Sequence, residues 1–413
     1  MKILYLTPAF QHPSMRGPTR HYYFIQELSK RHEITLLALS RTPIAPEAMQ
    51  EMSNYTKKIM TFPLNGDGGT LPVRLLGSVP KVGGRYRQYA RHQASLMAMK
   101  VAFQDLSRRE KFDLVLFHGK SMFKVIADWN ELPLVVDFCD ATSMRVLSKM
   151  EYAGKKLFPL LAMRYLQIRQ IERRLVSKSP FLAFVSWRDR EFVMGQPPAG
   201  EVVPIGVDHQ FWQRKGPLSQ SKTLIFTGVM NYAPNDDAAT YLIDRVLPIV
   251  RRAVPEIEVL IVGRDPSAAL KSKAHEHDGV DVTGFVDDLR PYLERAVIFA
   301  APMRFGSGVQ NKVLEAMAMQ VPVVTTPIVA AGLRVDGADV PPVQVAQGAE
   351  AFAQKIITLL ADVPEQAHLA KAGREFVKNH FVWEHSARKL EDLCLNAVSS
   401  GKSRTACNPG FRK

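Results

Sequence analysis

The sequence predicts an α/β protein with two doubly wound domains, because short apolar runs alternate with longer amphipathic stretches in both halves of the chain. The runs are apolar almost throughout rather than at every second residue, which is typical of parallel sheets covered by helices on both faces. The predicted strands are 2–7, 33–39, 113–119, 133–138, 180–186, 223–228, 257–263, 280–285, 297–302 and 322–327. Apolar residues at helical spacing predict helices over 19–31 and 238–254.

The chain length also favours several domains. Its 413 residues correspond to two or three domains at about 150 residues each. Pro, Gly and Ser gather between 196 and 220, which indicates a connecting segment. We therefore expect an N-terminal domain over 1–200, a second domain over 201–385, and a C-terminal helix with a basic tail over 386–413. Ligands of open parallel sheets bind beyond the carboxyl ends of the strands, so two such domains would enclose a cleft.

The net charge of +14 favours an anionic partner. Residues 1–200 hold 30 Lys and Arg against 16 Asp and Glu, whereas residues 201–400 hold 20 against 24. The densest basic stretch, 141–180, interleaves its cations with apolar residues at helical spacing, as in KKLFPLLAMRYLQIRQIERRL. This pattern fits either the solvated face of a surface helix or a face that meets anionic lipid headgroups. A nucleic-acid partner is disfavoured, because aliphatic residues rather than stacking aromatics accompany the cations.

Three scattered cysteines, Cys139, Cys394 and Cys407, are too few for a disulfide framework and favour a reducing compartment. No apolar run approaches the roughly 18 residues that a membrane span needs, and the apolar stretch Ile3 to Leu6 is too short for a signal peptide. We expect a cytoplasmic protein.

The segment with the strongest chemical signal is 301–327. A predicted strand leads into Gly306-Ser307-Gly308, followed by a helix predicted from about Val309 to Met319. Glycines allow close approach to a ligand, and a helix N-terminus presents unpaired N–H groups that suit a phosphate. Lys312 and the loop amides could hold a diphosphate, while the carboxylate of Glu315 could accept hydrogen bonds from both hydroxyls of a ribose. The alternative is a surface ion pair at i, i+3.

The run VLEAMAMQVPVV resembles the nucleotide-sugar signature of family 4 glycosyltransferases, the group 1 enzymes with the GT-B fold of two facing Rossmann-like domains. Further segments follow in the order that this family has, up to about residue 385, and some of its members share the glycine-rich loop and the N-K-V-L-E-A run. They are Gly17 after the first strand, LFHG, SWRDREF, PIGVDHQFW, FTGVMNYAPN, IVGRDP and VTGFVDDL.

The resemblance implies roles for individual residues. Glu315 would bind the ribose of the donor nucleotide, and Gly17 would approach its diphosphate closely. His118 would lie in the cleft near the reacting sugar as the catalytic candidate, although a lone histidine ending an apolar run also fits a buried structural role. Phe285 and Val286, with the preceding glycine, would frame the nucleobase.

Two positions depart from the family pattern. The acidic residue usual eight positions before Glu315 is replaced by Ser307, so recognition of the donor sugar is not expected to be standard. The cations usual after the first strand of the second domain are missing from GVMNYAPNDD. Lys312, with Arg264 and Arg304 as weaker candidates, would have to supply that charge.

The resemblance further implies a retaining, metal-independent transferase. The sequence has no Asp-x-Asp motif, and we expect no metal and no cofactor, since the nucleotide sugar is itself a substrate. Residues 1–200 would form the acceptor-side domain and 201–385 the nucleotide-sugar-binding domain, and the acceptor would be lipid-linked or a saccharide, in cell-surface polysaccharide or glycolipid synthesis. The basic stretch 141–180 would then make the protein peripheral on the inner face of the membrane. Asp137 and Asp140 are cleft candidates for which capping roles fit equally well. A GT-B nucleotide-sugar epimerase and a non-catalytic nucleotide-sugar-binding protein remain alternatives.

Overall fold

A computed structural model describes residues 1–15, 19–64, 83–152, 157–195, 199–335 and 340–406. It contains two separate sheets, each built only of parallel pairs. The first sheet has seven strands in the spatial order β3-β2-β1-β4-β5-β6-β7. These strands are β1 Lys2–Thr7, β2 Glu33–Ser40, β3 Lys58–Pro63, β4 Leu114–His118, β5 Leu134–Cys139, β6 Phe181–Phe184 and β7 Glu201–Val202.

Helices cover both faces of the first sheet. They are α1 Arg20–Ser29, α2 Pro46–Tyr55, α3 Gly83–Arg109, a 3₁₀ turn Lys120–Met122, α4 Phe123–Ile126, α5 Thr142–Tyr152, α6 Phe158–Lys178 and α7 Trp187–Met194. Successive residues of a strand point to opposite faces. In β1, Ile3 and Tyr5 pack on one side while Leu4 and Leu6 pack on the other, and all four are fully buried. Burial on both faces explains why this strand is apolar throughout.

The second sheet has six strands in the order β10-β9-β8-β11-β12-β13. These strands are β8 Thr223–Thr227, β9 Glu258–Val262, β10 Val280–Gly284, β11 Ile298–Ala301, β12 Val323–Thr325 and β13 Gln344–Val345. Its helices are α8 Ala233–Tyr241, a π-helical turn Leu242–Val246, α9 Leu247–Ala253, α10 Ala268–His275, α11 Arg290–Arg295, α12 Asn311–Ala318, α13 Pro327–Gly332, α14 Ala349–Ala361 and α15 Val363–His380.

The last described helix, α16 Trp383–Ala406, returns to the first sheet and packs along α1. The indole of Trp383 stacks on Tyr23 with ring centroids 4.6 Å apart. Further along, Glu391 accepts hydrogen bonds from the side chains of Arg31 and His32. Helix α16 is therefore anchored on the N-terminal domain. None of the helices within the described ranges combines the length and the apolar character needed to cross a bilayer.

Three strands, β3, β7 and β13, were not among the predicted ones; β7 and β13 have only two residues each, too few to produce an apolar run. The single helix predicted over 238–254 is interrupted by the π-helical turn. Pro248 lies two residues after the end of that turn, and proline lacks the N–H that a regular helix would use there, which accounts for the widened turn. The helix predicted from Val309 begins at Asn311 instead.

The carboxyl ends of β5 and β11 face each other across the two sheets. Asp140 directly follows β5, and Ser307 lies in the loop after β11. The hydroxyl of Ser307 donates a hydrogen bond of 3.0 Å to the Asp140 carboxylate. The loops at this meeting point form the walls of a cleft.

Candidate active site in the cleft between the sheets

A cavity of about 590 Å³ lies beyond the carboxyl ends of β8, β9 and β10 and beside the start of α12. Several residues singled out in the sequence line this one cavity, although they come from separate segments. They are Arg264, Phe285, Val286, Ser307, Lys312 and Glu315. Gly228 and Gly263 form part of its wall, and their backbones touch: a Cβ added to Gly263 would fall 1.8 Å from the carbonyl oxygen of Gly228.

The loop 306–308 brings the start of α12 to the cavity. Gly306 and Gly308 have φ values of +153° and +71°, which residues with a Cβ rarely adopt. Helix α12 then begins at Asn311, so its free N–H groups lie beside the cavity lining. A helix start preceded by such a loop is suited to an anionic group.

Lys312, in the first turn of α12, holds its ammonium group among neutral partners. The group donates a hydrogen bond to Asn235 Oδ1, lies 3.6 Å from the sulfur of Met303 and sits 4.8 Å from the centre of the Phe226 ring. Burial lowers the pKa of Lys312 to about 7, against an opposing contribution from Glu315. The protein alone therefore stabilises the charged form of Lys312 poorly.

Glu315 lies one turn further along α12 and also borders the cavity. Burial raises the pKa of Glu315 to about 7, and the nearby positive charge of Lys312 opposes the rise. A carboxylate in this position has oxygens free to accept hydrogen bonds from a ligand's hydroxyl groups. The cavity thus places a cation and a hydrogen-bond acceptor one helical turn apart.

The other cation candidates are placed differently. Arg264 lines the cavity and pairs with Asp265 at 3.2 Å. Arg304, by contrast, makes a two-pronged ion pair with Asp237. Gly17 lies outside the described residues. Exposed Phe285 stands at the cavity next to Val286, where it offers an aromatic surface.

On the opposite side of the cleft, His118 ends β4 and lies beside a buried ion pair. Nδ1 of His118 is 3.1 Å from a carboxylate oxygen of Asp137, the neighbouring residue on β5. Arg20 binds both oxygens of that carboxylate at 2.9 and 3.2 Å. Asp137 is fully buried, whereas the His118 side chain is 13% exposed. His118 is therefore the member of this cluster that can meet a ligand.

Burial and neighbouring charges set the protonation states of Asp137 and His21. Burial alone would raise the pKa of Asp137, but the charges of Arg20 and His118 hold it well below the usual range. Burial lowers the pKa of His21 well below its usual value, with a further contribution from His118, whose ring lies 4.1 Å away centre to centre. His21 is thus neutral at physiological pH, and Asp137 is a carboxylate that can orient His118.

Sequence reasoning missed the Arg20–Asp137 pair and the contact of Asp140 with Ser307. The partners lie 117 and 167 residues apart along the chain. The only sequence signal was the position of both aspartates just before and after the end of a predicted strand.

Part of the second half of the chain matches a known family model. Residues 221–362 match the family model described as Glycosyl transferases group 1. The chain also resembles solved structures along nearly its whole length: sucrose-phosphate synthase from Thermosynechococcus elongatus has 16% identity and a TM-score of 0.71, covering 97% of this chain and all of that one. HepE from Anabaena, in complex with UDP and glucose, has 14% identity and a TM-score of 0.63, and the match covers 95% of this chain and 98% of that one.

S. aureus TarM, in complex with fondaparinux, alpha-GlcNAc-glycerol and UDP, has 10% identity and a TM-score of 0.64, covering 95% of this chain and all of that one. Identities this low carry the fold alone. No curated protein sequence matches the chain. The chain therefore has the GT-B fold and contains, in its second half, a domain of the group 1 glycosyltransferases, as the sequence resemblance predicted.

Proposed function

We propose that this protein is a retaining glycosyltransferase that moves a sugar from a nucleoside-diphosphate-sugar donor to an acceptor held by the N-terminal domain. The observation that carries the proposal is the cavity in which Lys312 and Glu315 lie one helical turn apart beside loop 306–308. A cation, free helix N–H groups and a carboxylate suit a ligand that combines phosphates with a ribose. The group 1 family match includes this helix.

In the proposed binding mode, Glu315 accepts hydrogen bonds from the ribose hydroxyls, while Lys312 and the amides of loop 306–308 hold the diphosphate. Phe285 and Val286 border the nucleobase, with Arg264 at the same wall. HepE was solved with UDP-glucose, which has these three parts. A bound diphosphate would place negative charge beside the Lys312 ammonium group, which its protein neighbours stabilise poorly.

For the chemical step, we propose that the acceptor attacks on the face that the departing diphosphate leaves, with no covalent sugar–enzyme intermediate. Negative charge then develops on the leaving diphosphate, and Lys312 and the start of α12 stabilise it without metal participation. His118 faces the reacting sugar from the other side of the cleft, oriented by Asp137 at 3.1 Å. The acceptor proton passes to the leaving phosphate.

For the acceptor, we propose a lipid-linked or saccharide molecule, with the N-terminal domain resting on an anionic membrane. Support comes from the start of α6 and the residue before it, where five large apolar side chains are each at least 51% exposed: Leu157, Phe158, Leu160, Met163 and Leu166. Exposed arginines accompany them on the same helix. Large exposed apolar patches are uncommon on soluble proteins and mark contact surfaces. This site suits cell-surface polysaccharide or glycolipid synthesis on the cytoplasmic side.

Sedimentation with lipid vesicles tests the membrane contact. The wild-type protein should pellet with vesicles that contain anionic lipid, and the triple variant Leu160→Gln, Met163→Gln, Leu166→Gln should stay in solution. Leu395→Gln, which changes an exposed leucine on α16, is the matched control and should pellet like the wild type. Equal pelleting of the triple variant would refute the membrane contact and leave the donor site untouched.

The transferase itself is tested with nucleotide sugars and acceptor extracts. Glu315→Ala and Lys312→Ala should fold normally, as judged by circular dichroism, and lose turnover. Lys271→Ala, an exposed lysine of the same domain, should retain it. Full turnover in both site variants would refute the assignment, and consumption of donor in the absence of any acceptor would favour an epimerase.

A further inference from the structure

The diphosphate site described above rests on one cation from the second domain, although a nucleoside diphosphate carries two to three negative charges. Arg304 is held by Asp237, and residues 228–237, which follow β8, contain no Lys or Arg. The additional positive charge has to come from elsewhere. In the N-terminal domain, Arg188 contacts loop 306–308 directly, and Arg145 is linked to it through Asp140.

Arg188, in the first turn of α7, reaches across the cleft. Its guanidinium donates a hydrogen bond of 3.3 Å to the carbonyl oxygen of Gly306. Burial lowers the pKa of Arg188, and the charge of Asp189 offsets this only in part. Asp189 is itself engaged by the backbone N–H of Ala141 and by the hydroxyl of Ser186. Arg188 is therefore a poorly compensated cation directed at the loop.

Arg145, on α5, makes a second contact across the cleft. It pairs with Asp140 at 3.1 Å, and its guanidinium lies near Tyr232, which lines the donor cavity. Lys120 lies 3.7 Å from the other oxygen of the same carboxylate. Burial would raise the pKa of Asp140, but Lys120 and Arg145 hold it below its usual value, so one carboxylate faces two cations.

The local charges leave a positive surplus around loop 306–308. One unit remains from Arg145 and Lys120 after Asp140 is counted. The charges of Arg188 and Lys312 are offset only in part by their neighbours Asp189 and Glu315. A positive surplus at the loop favours a diphosphate over an uncharged nucleoside.

We propose that Arg145 and Arg188 complete the diphosphate site from the N-terminal domain, so that the donor is clamped by both domains at once. The proposal rests on the nucleotide-sugar function above and names further binding residues for it. Asp140 is the positioning residue: it holds Arg145 on one side and Ser307 of the loop on the other. The clamp replaces the cations that are missing after β8.

The test compares affinities for a nucleoside, its monophosphate and its diphosphate, with the base that binds the wild type most tightly, by titration calorimetry. We expect Arg188→Gln and Arg145→Gln each to weaken diphosphate binding by about 10-fold or more, because each removes a charge-assisted hydrogen bond. Affinity for the nucleoside should change by less than about 2-fold. Arg188→Lys, which keeps the charge, should recover part of the loss.

Matched controls lie on the same helices. Arg190→Gln on α7 removes an arginine that also bonds a carbonyl, that of Gly200, and Lys149→Gln on α5 removes an exposed lysine. Both should keep the wild-type preference for the diphosphate. If Arg145→Gln and Arg188→Gln keep that preference too, with unchanged melting temperatures, the clamp is refuted while the donor site stands. If the wild type binds no nucleoside diphosphate, both the clamp and the proposed function are refuted.

Discussion

Replacing Lys312 by methionine should stabilise the empty protein and also remove its response to nucleoside diphosphates. The ammonium group lies among Asn235 Oδ1, the Met303 sulfur and the ring of Phe226. None of these three partners carries a negative charge, and the nearby Glu315 carboxylate compensates only in part for the hydration that the ammonium group has lost. Methionine has a similar length and would place a neutral thioether in the same surroundings.

The pKa gives the size of the effect. It falls from 10.5 to about 7 for Lys312, and at about 1.4 kcal/mol per pKa unit the difference corresponds to roughly 5 kcal/mol for the charged side chain. Lys312 keeps some contact with solvent in the cavity, and screening by water reduces this figure, so we expect methionine to stabilise by about 1 to 2 kcal/mol. The pKa of Lys312 is lower in the folded protein than in the unfolded chain. The charged lysine therefore destabilises the fold fully at pH values below about 7, and this destabilisation disappears as the pH rises toward 10.5.

Thermal denaturation at about pH 6 and about pH 9, with and without a nucleoside diphosphate, measures both consequences. We expect Lys312→Met to melt about 2 to 6 °C above the wild type at the lower pH, with a smaller difference at the higher pH. The ligand-induced rise seen in the wild type should be lost. Lys271→Met, at an exposed position of α10, should show neither change. A Lys312→Met protein that melts lower than the wild type at about pH 6, or that keeps the ligand-induced rise, refutes this reasoning.

Three further predictions concern the cleft and its walls. Arg20→Met leaves the buried Asp137 carboxylate without its bidentate partner and should lower the free energy of unfolding by about 3 to 5 kcal/mol at neutral pH, as measured by denaturant unfolding. Part of this stability should return on acidification, because Asp137 then takes up a proton. An unchanged denaturation midpoint would contradict the pairing. His118→Gln should lower kcat by at least about 10-fold while donor affinity, measured by calorimetry, stays within about 2-fold; equal losses in both would place His118 in donor binding instead. Gly263→Ala puts a Cβ 1.8 Å from the Gly228 carbonyl oxygen at a φ of +148° and should lower the melting temperature and weaken nucleotide binding; a wild-type melting curve would contradict the close contact.

Much of the fold could be predicted because the central strands are continuous apolar runs. The observed β1 coincides with the predicted 2–7, and β5 with 133–138 to within a residue at each end. Edge strands such as β13 are short, and only their neighbours in space define them. Pro248 is visible in the sequence, but the widened turn before it depends on the helix continuing on both sides.

The grouping of loop 306–308, Lys312 and Glu315 at one cavity could also be predicted, since they lie within ten residues and helical spacing alone relates them. The arrangement of the opposite wall of the cleft, around His118, could not be predicted. Arg20 begins α1, which follows β1, and Asp137 lies on β5. The two residues meet because β1, β4 and β5 are neighbours in the first sheet, and no local sequence pattern specifies that order. Arg145 and Arg188, which lie near loop 306–308, could not be predicted either. The sequence shows that the N-terminal domain is basic, but not which of its arginines enter the cleft.

The central claim is that Glu315 binds the ribose of a nucleoside diphosphate, and the most direct measurement is a double-mutant cycle between protein and ligand. Calorimetry would compare a nucleoside diphosphate and its 2′,3′-dideoxy analogue on the wild type and on Glu315→Ala. Hydrogen bonds to a charged group contribute about 1.5 to 3 kcal/mol each, so removing the hydroxyls should weaken binding to the wild type at least about 10-fold and leave binding to the variant nearly unchanged. Equal losses on both proteins would show that Glu315 and the ribose do not interact, and would contradict the account.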